Sequence, residues 1–421
     1  MTKPFFLRRK LSLLSCQRLP AHCNAVVFIS DDWGFCGWGK DRKTLEELCA
    51  KGYNVFQGKY WRDTLESSND LLRLYDTLSS VDDVYGRKAI FSANFICSNP
   101  DYTAIKNNSF KIYHYIPISR GFPGTWDRGN LLQGWKDGIR RGVFFPEYHG
   151  LTHFDQDTWL EGLRRNDKQL LDFFEHALVT SSRETFVLSE YGNMRKRRFK
   201  SLKKQLNNIK AGFKIFTETF TRQPFTTLAP NNYYNITTKR LFDSLYHVHW
   251  SRDSIYPWQL HSLAASLVSP PYELVRNVNL EIALSSSPES EYRRACEDTI
   301  NLWKHRLPAV VNTHRINYVT GVDASITTKS FYYLKEYLKF LASHRDLVFL
   351  TDHEAFQLLE QGYSCVTIGN ETVLRNYTSR DIIFRFERTV PYNYSIENVS
   401  GSVRPPKSEV TLKPGEMKVI P

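Results

Sequence analysis

The stretch Ala25-Val26-Val27-Phe28-Ile29-Ser30-Asp31-Asp32-Trp33-Gly34 decides the fold. Its first five residues are apolar, and three of them are β-branched. Such a run, without polar alternation, predicts a strand buried on both faces. It stops abruptly at two adjacent carboxylates and, one residue on, a glycine. Strands of this kind belong to parallel sheets covered by helices, where ligand sites lie at the carboxyl ends of the strands. Adjacent acids also serve as turn residues or helix caps. Here the strand end places Asp31 and Asp32 where a site is expected.

The pattern repeats outward from this run. Residues 89–95, 143–149, 246–250, 309–314 and 347–351 read as strands, and 226–230 as a further strand end. Between them, residues 43–51, 65–78, 159–178, 202–216, 239–245, 291–305, 331–341 and 354–360 carry apolar residues at helical spacing. Strand–helix alternation on this scale predicts an α/β fold with a parallel sheet, open or closed into a barrel. After about Gly362 the runs become short and are divided by Asn, Gly and Pro, which predicts a small antiparallel β module. The expected organisation is an N-terminal extension over 1–23, a (β/α) domain over 24–363 and the module over 364–421. No internal repeat is present.

Composition narrows the classes. The 421 residues carry 56 Lys and Arg against 44 Asp and Glu, a formal charge of +12, which favours anionic surroundings. Part of the excess lies in Met194-Arg195-Lys196-Arg197-Arg198-Phe199-Lys200, followed by Lys203 and Lys204. A solvated helix face or loop accounts for such a run, and without a nucleic-acid signature no nucleic-acid partner is expected. The seven cysteines (16, 23, 36, 49, 97, 296 and 365) have no Cys-x-x-Cys spacing and an odd count, which fits a reducing compartment. Arg8-Arg9-Lys10 precedes an apolar run too short for a signal peptide, and no stretch has the length of a membrane span. A soluble, cytoplasmic chain without a transmembrane segment is the expectation.

Three further strand ends carry polar signatures: His149-Gly150-Leu151-Thr152-His153, Asn231-Asn232 and His314. Two imidazoles four residues apart would share one face of a helical turn and could share a metal. By itself the spacing is weak, and a pair of surface or capping histidines is the plain alternative. Asp155 and Asp157 follow the pair. They could orient the ligands, although Asp157 reads better as the N-cap of the helix at Trp159. There is no Gly-x-Ser-x-Gly, and no cysteine sits in a catalytic motif.

Taken together and in order, these motifs resemble the polysaccharide deacetylase family, the NodB-homology or carbohydrate-esterase type, over about residues 24–363. The resemblance implies a distorted parallel (β/α) barrel and a metal-dependent hydrolase. In it, Asp31 is the general base, and Asp32, His149 and His153 hold a divalent metal, zinc first with cobalt or nickel as alternatives. His314 is the general acid. The segment Leu228-Ala229-Pro230-Asn231-Asn232-Tyr233-Tyr234-Asn235 resembles the substrate-groove motif. Pro230, Asn231, Asn232 and Tyr233, with Trp33 and Trp250, are the expected substrate contacts; the rings at 33, 126, 233 and 250 also suit packing at the barrel rim. The reaction implied is removal of N- or O-acetyl, or a similar acyl group, from a glycan or polysaccharide, and the basic surface suits an anionic or lipid-linked one.

The departures from the family pattern are specific. Ile29-Ser30-Asp31-Asp32-Trp33-Gly34 replaces Thr-Phe-Asp-Asp-Gly, and the final Leu-x-His is Asn312-Thr313-His314. The arginine that commonly opens the third motif and orients the base is missing, since Thr226 and Thr227 precede Leu228 and Arg222 lies too far upstream. These changes define a remote member with a shifted substrate. Two other readings stay open: a carbohydrate-binding protein that has lost turnover, and a glycosidase using two carboxylates, Asp31 with Glu147 or Glu190.

Overall fold

The computed structural model describes residues 19–20, 22–57, 60–179, 189–193, 198–246, 248–252, 273–386 and 408–420. The basic start at 8–10, Cys16 and Met194–Arg197 of the basic run lie outside the described residues.

One parallel sheet organises the chain. Its strands are β1 (Asn24–Trp33), β2 (Phe91–Ile96), β3 (Phe144–Gly150), β4 (Thr226–Thr227), β5 (His249–Arg252), β6 (Glu273–Val275), β7 (Val278–Asn279), β8 (Ala309–His314) and β9 (Leu347–Leu350). They are ordered β6-β5-β4-β3-β2-β1-β8-β7, with β9 beside the first half of β1. Every pairing is parallel. The two edge strands are consecutive in sequence: the Arg276 amide donates to Arg252 and the Asn277 amide to Val310. The sheet is therefore strongly curled; the alternation of elements predicts the parallel pairing and leaves the sheet open or closed.

Alternation within β1 separates two cores. Ala25, Val27 and Ile29 point inward and pack with Leu274, Val310, Val348 and Leu350. Val26 and Phe28 point outward to the helix layer, where Phe28 stacks on Phe91 and meets Tyr337 edge-on. The outer helices include Ser68–Leu78, Leu131–Arg140, Leu202–Phe220, Pro288–Lys304 and Ala324–Ala342. Ser67 closes the start of the first with a capping box, satisfying amides that the helix itself leaves free.

The helix expected over 159–178 is two helices, Gln156–Arg164 and Lys168–Glu175. Asn166 takes a left-handed conformation between them, and the Asp167 carboxylate caps the second. The cap of the first helix is Asp155, not Asp157; Asp157 lies in its first turn, where it pairs with Lys204 at 2.8 Å.

After Gly362 the strands are antiparallel. β10 (Tyr363–Ile368), β11 (Glu371–Asn376) and β14 (Met417–Ile420) form one sheet, and β12 (Ile382–Phe386) pairs with β13 (Ser408–Leu412). Val366, Ile368 and Val373 pack on Ile90 and Phe145 of the larger unit. A buried ionic contact reinforces this: the Glu354 carboxylate receives both Arg375 and Arg87. Among the described residues, no helix is long and apolar enough to cross a membrane.

Candidate active site

Simple alternation would send Asp31 and Asp32 to opposite faces of β1. The pairing with β2 instead slips between Ser30 and Trp33, and Asp32 adopts φ +75°. This bulge turns the second carboxylate into the same cleft as the first. A left-handed non-glycine residue costs about 1–2 kcal/mol, and strain of this kind clusters at functional sites.

His149 and His153 reach Asp32 from β3 and the loop after it. Their Nε2 atoms lie 3.5 Å and 3.2 Å from Asp32 Oδ1. The pair is not helical, in contrast to the expectation from its spacing. Gly150 turns the chain at φ +126°, and Glu190, fully buried, accepts the Leu151 and Thr152 amides at 3.0 and 3.3 Å. A side chain at Gly150 would meet Glu190 Oε1 at 2.8 Å.

The donor set fits a divalent cation. One ligand atom from each of Asp32, His149 and His153 lies within 4.8 Å of the others, all three residues being buried. Asp32 Oδ1 has no hydrogen-bond donor, a costly state for a buried carboxylate oxygen unless a cation faces it. His149 Nδ1 donates to the Leu228 carbonyl at 2.7 Å, which turns Nε2 towards Asp32.

Asp31 and His314 sit beside this cluster. They are register partners on β1 and β8, and His314 Nε2 lies 3.5 Å from Asp31 Oδ2. Asn94 donates to Asp31 Oδ1 at 2.8 Å and Arg276 to Oδ2 at 2.5 Å. Burial pushes the Asp31 carboxyl up, but Arg276, then His149 and His314, outweigh it and hold the group below the ordinary carboxylate range. His314 Nδ1 lies 2.5 Å from Glu281 Oε1. Burial disfavours its charge; Glu281 first, then Asp31 and Asp32, overcome that and push the imidazole up to about 10. These neighbours favour the ionised carboxylate and the protonated imidazole.

The arginine that contacts Asp31 is not Arg222. Arg222 lies 3.5 Å from Glu147, midway along β3, whereas Arg276, between β6 and β7, meets Asp31. Arg276, Glu281, Asn94 and Glu190 were not assigned these partners from sequence. A signal existed for one of them: Leu274, Arg276, Val278 and Leu280 are buried at every second position, and a buried arginine requires an anionic partner.

A cleft of about 290 Å3 opens over these groups, walled by Trp38, Tyr60, Leu284, Asn312, Asn231 and Asn232. The other expected contacts are elsewhere. Trp33 is buried, donates to Ser30 and packs on Phe144. Trp250 packs on Tyr234 and Phe242, Trp126 donates to the Ala177 carbonyl, and Tyr233 stacks on Phe199. Pro230 is buried and does not line the cleft. The bulge after Ser30 turns Trp33 to the outer face of its strand, Trp250 also packs in the outer core, and Trp126 lies outside the strands. Glu147 and Glu190 are fully buried and engaged with backbone amides, so neither faces Asp31 across the cleft.

No family model and no curated protein matches this chain. Among solved structures, it is similar to the probable polysaccharide deacetylase of Pseudomonas aeruginosa PAO1, at 10% identity and TM-score 0.40, over 82% of this chain and 94% of that one. It is similar to the Xyl-CE4 domain of a multidomain xylanase from the hindgut metagenome of Trinervitermes trinervoides, at 10% identity and TM-score 0.34, over 80% and 90%. A third is a CE4 family pseudoenzyme from Bacillus anthracis, at 8% identity and TM-score 0.34, over 80% and 67%. The likeness is remote. With these TM-scores below 0.5, it identifies neighbours of the fold and says nothing about activity.

Proposed function

We propose that the chain is a metal-dependent hydrolase that removes N- or O-acetyl, or similar acyl, groups from a glycan. The observation that carries this reading is the register pairing of Asp31 with His314, the first held by Arg276 and the second by Glu281, beside an Asp-His-His cluster.

Asp32, His149 and His153 would hold the metal. When bound, a divalent ion there supplies Lewis acidity, acidifying water and polarising an acyl carbonyl. Zinc suits two imidazoles and a carboxylate with positions left open; cobalt and nickel accept the same donors.

The remaining work falls to the protein's own groups. Asp31, fixed by Asn94 and Arg276, takes the proton of the attacking water at whichever carboxylate oxygen faces it. His314 Nε2 hands its proton to the departing nitrogen or oxygen, while Glu281 keeps the ring oriented and compensates its charge. Trp38 and Tyr60 offer ring faces to a sugar, and the Asn231 and Asn232 amides offer hydrogen-bonding groups. The +12 charge is compatible with an anionic or lipid-linked glycan.

The test is acetate release from a panel of N- and O-acetylated oligosaccharides by zinc-loaded protein, beside Asp31→Asn. Release by the wild type that the variant loses supports the reading. New reducing ends without acetate would instead support a glycosidase, and binding with neither product a lectin-like protein.

A further inference from the structure

The two histidine ligands are held by different means. His149 is locked by a hydrogen bond from Nδ1 to the Leu228 carbonyl. His153 Nδ1 is buried without a partner, and the ring is confined by aromatic groups. Phe35 faces it at 6.0 Å and 28°, and Trp38 meets it edge-on at 6.0 Å and 83°. The direction of His153 Nε2 therefore depends on where the loop after Asp32 holds Phe35 and Trp38.

That loop is gripped by buried polar side chains. Glu66 accepts the Gly34 amide at 3.1 Å, Asn99 bonds both the Gly34 carbonyl and the Cys36 amide, and the Asp63 carbonyl accepts the Trp38 and Gly39 amides. At the centre lies Arg315, fully buried and adjacent in sequence to His314. Its guanidinium donates to both Asp63 oxygens at 3.2 and 2.8 Å, to Glu66 Oε2 at 3.0 Å and to the Phe35 carbonyl. Gly37 lets the chain pass this close: a Cβ there would stand 2.9 Å from the Asp63 carbonyl and 3.2 Å from Arg315 Nη2. A lysine would keep the charge but could not make the forked contacts to carboxylate and carbonyl together.

We propose that Arg315 is a positioning residue of the metal site: through the Phe35 carbonyl it fixes the ring that orients His153. This rests on the reading of Asp32, His149 and His153 as ligands. It adds that a residue beyond contact with the cation sets how well the third ligand is aimed. Because Arg315 follows His314 directly, the same guanidinium ties the end of the strand bearing His314 to the loop that follows Asp31 and Asp32.

The test is titration of Co2+ into metal-free full-length protein, following the visible absorption band, with the wild type, Arg315→Lys, Phe35→Leu and the double variant. Near-UV circular dichroism monitors the fold. Disturbed outer contacts typically weaken metal affinity about 10–100-fold. Each single variant is expected to bind Co2+ that much more weakly with a shifted band, and the double variant no more weakly than the worse single one. A wild type without a band would remove the metal reading itself. A wild-type band retained unchanged by folded Arg315→Lys and Phe35→Leu would overturn the role of Arg315 alone. If Arg315→Lys does not fold, Phe35→Leu decides by the same criterion, since the proposed path runs through that ring.

Discussion

Asp31 and His314 are register partners on adjacent parallel strands, with 3.5 Å between Oδ2 and Nε2. The base and acid roles proposed for them need opposite protonation states at one pH, which a cation beside the carboxylate, Arg276, and an anion beside the imidazole, Glu281, favour.

Removing the arginine gives the first prediction. In Arg276→Gln the Asp31 carboxyl loses its main stabilising charge, so its pKa rises and the acid limb of the pH–rate profile moves to higher pH. Turnover on an acetylated oligosaccharide is expected to fall about 100-fold, within the usual contribution of a positioned base. An unmoved acid limb would show that Arg276 does not tune Asp31.

Glu281→Gln acts on the other limb. His314 is raised to about 10 and must be protonated to act, so activity is lost as pH rises through its pKa. Without the Glu281 charge that pKa falls, and the alkaline limb is expected to move to lower pH. The same group contributes to stability in metal-free protein. Its folded pKa lies above the unfolded value near 6.5, so the contribution is complete below about pH 6.5 and is lost as pH rises towards 10. Thermal melts across that range, wild type against Glu281→Gln, should show the difference shrinking with pH.

Glu147 gives a prediction away from the chemistry. Burial, only partly offset by Arg222, pushes its carboxyl up to about 8. A folded-state pKa above the unfolded value means that stability is kept at low pH and lost as pH rises from about 4.5 to 8. Glu147→Gln cannot ionise, so its melting temperature relative to wild type should rise across that interval. A constant difference would mean that the carboxyl is ionised in the fold.

The groove asparagines provide a conformational test. Asn231 and Asn232 stand at φ +52° and +51°. Asn232→Gly should be tolerated, whereas Asn232→Val should cost about 1–2 kcal/mol in denaturant unfolding, because a β-branched residue fits the left-handed region poorly.

Much of this architecture is legible in the sequence because burial on both faces leaves a local mark. Ala25 to Ile29, Ala309 to Val311 and Leu347 to Leu350 need no tertiary information to read as inner strands. Asp31, Asp32, His149, His153 and His314 stand out because each ends or follows such a run. What is not legible depends on conformation or on distant partners. The bulge at Asp32 and the turn at Gly150 bring the ligands together, and neither follows from spacing; four-residue spacing suggested a helix instead. Arg276 lies 245 residues from Asp31, so proximity in the chain could not connect them. Trp33 and Trp250 fall near strand ends as expected, yet each ring follows the outward face into the core.

On the proposed function, Asp32, His149 and His153 bind one divalent cation that the reaction requires. Elemental analysis after equilibration with zinc, for the wild type and for His149→Ala/His153→Ala, tests it most directly. About one ion per wild-type chain is expected, and none in a variant that keeps its circular dichroism spectrum. A wild type that takes up no zinc, cobalt or nickel, or a double variant that binds as much as wild type, would contradict it.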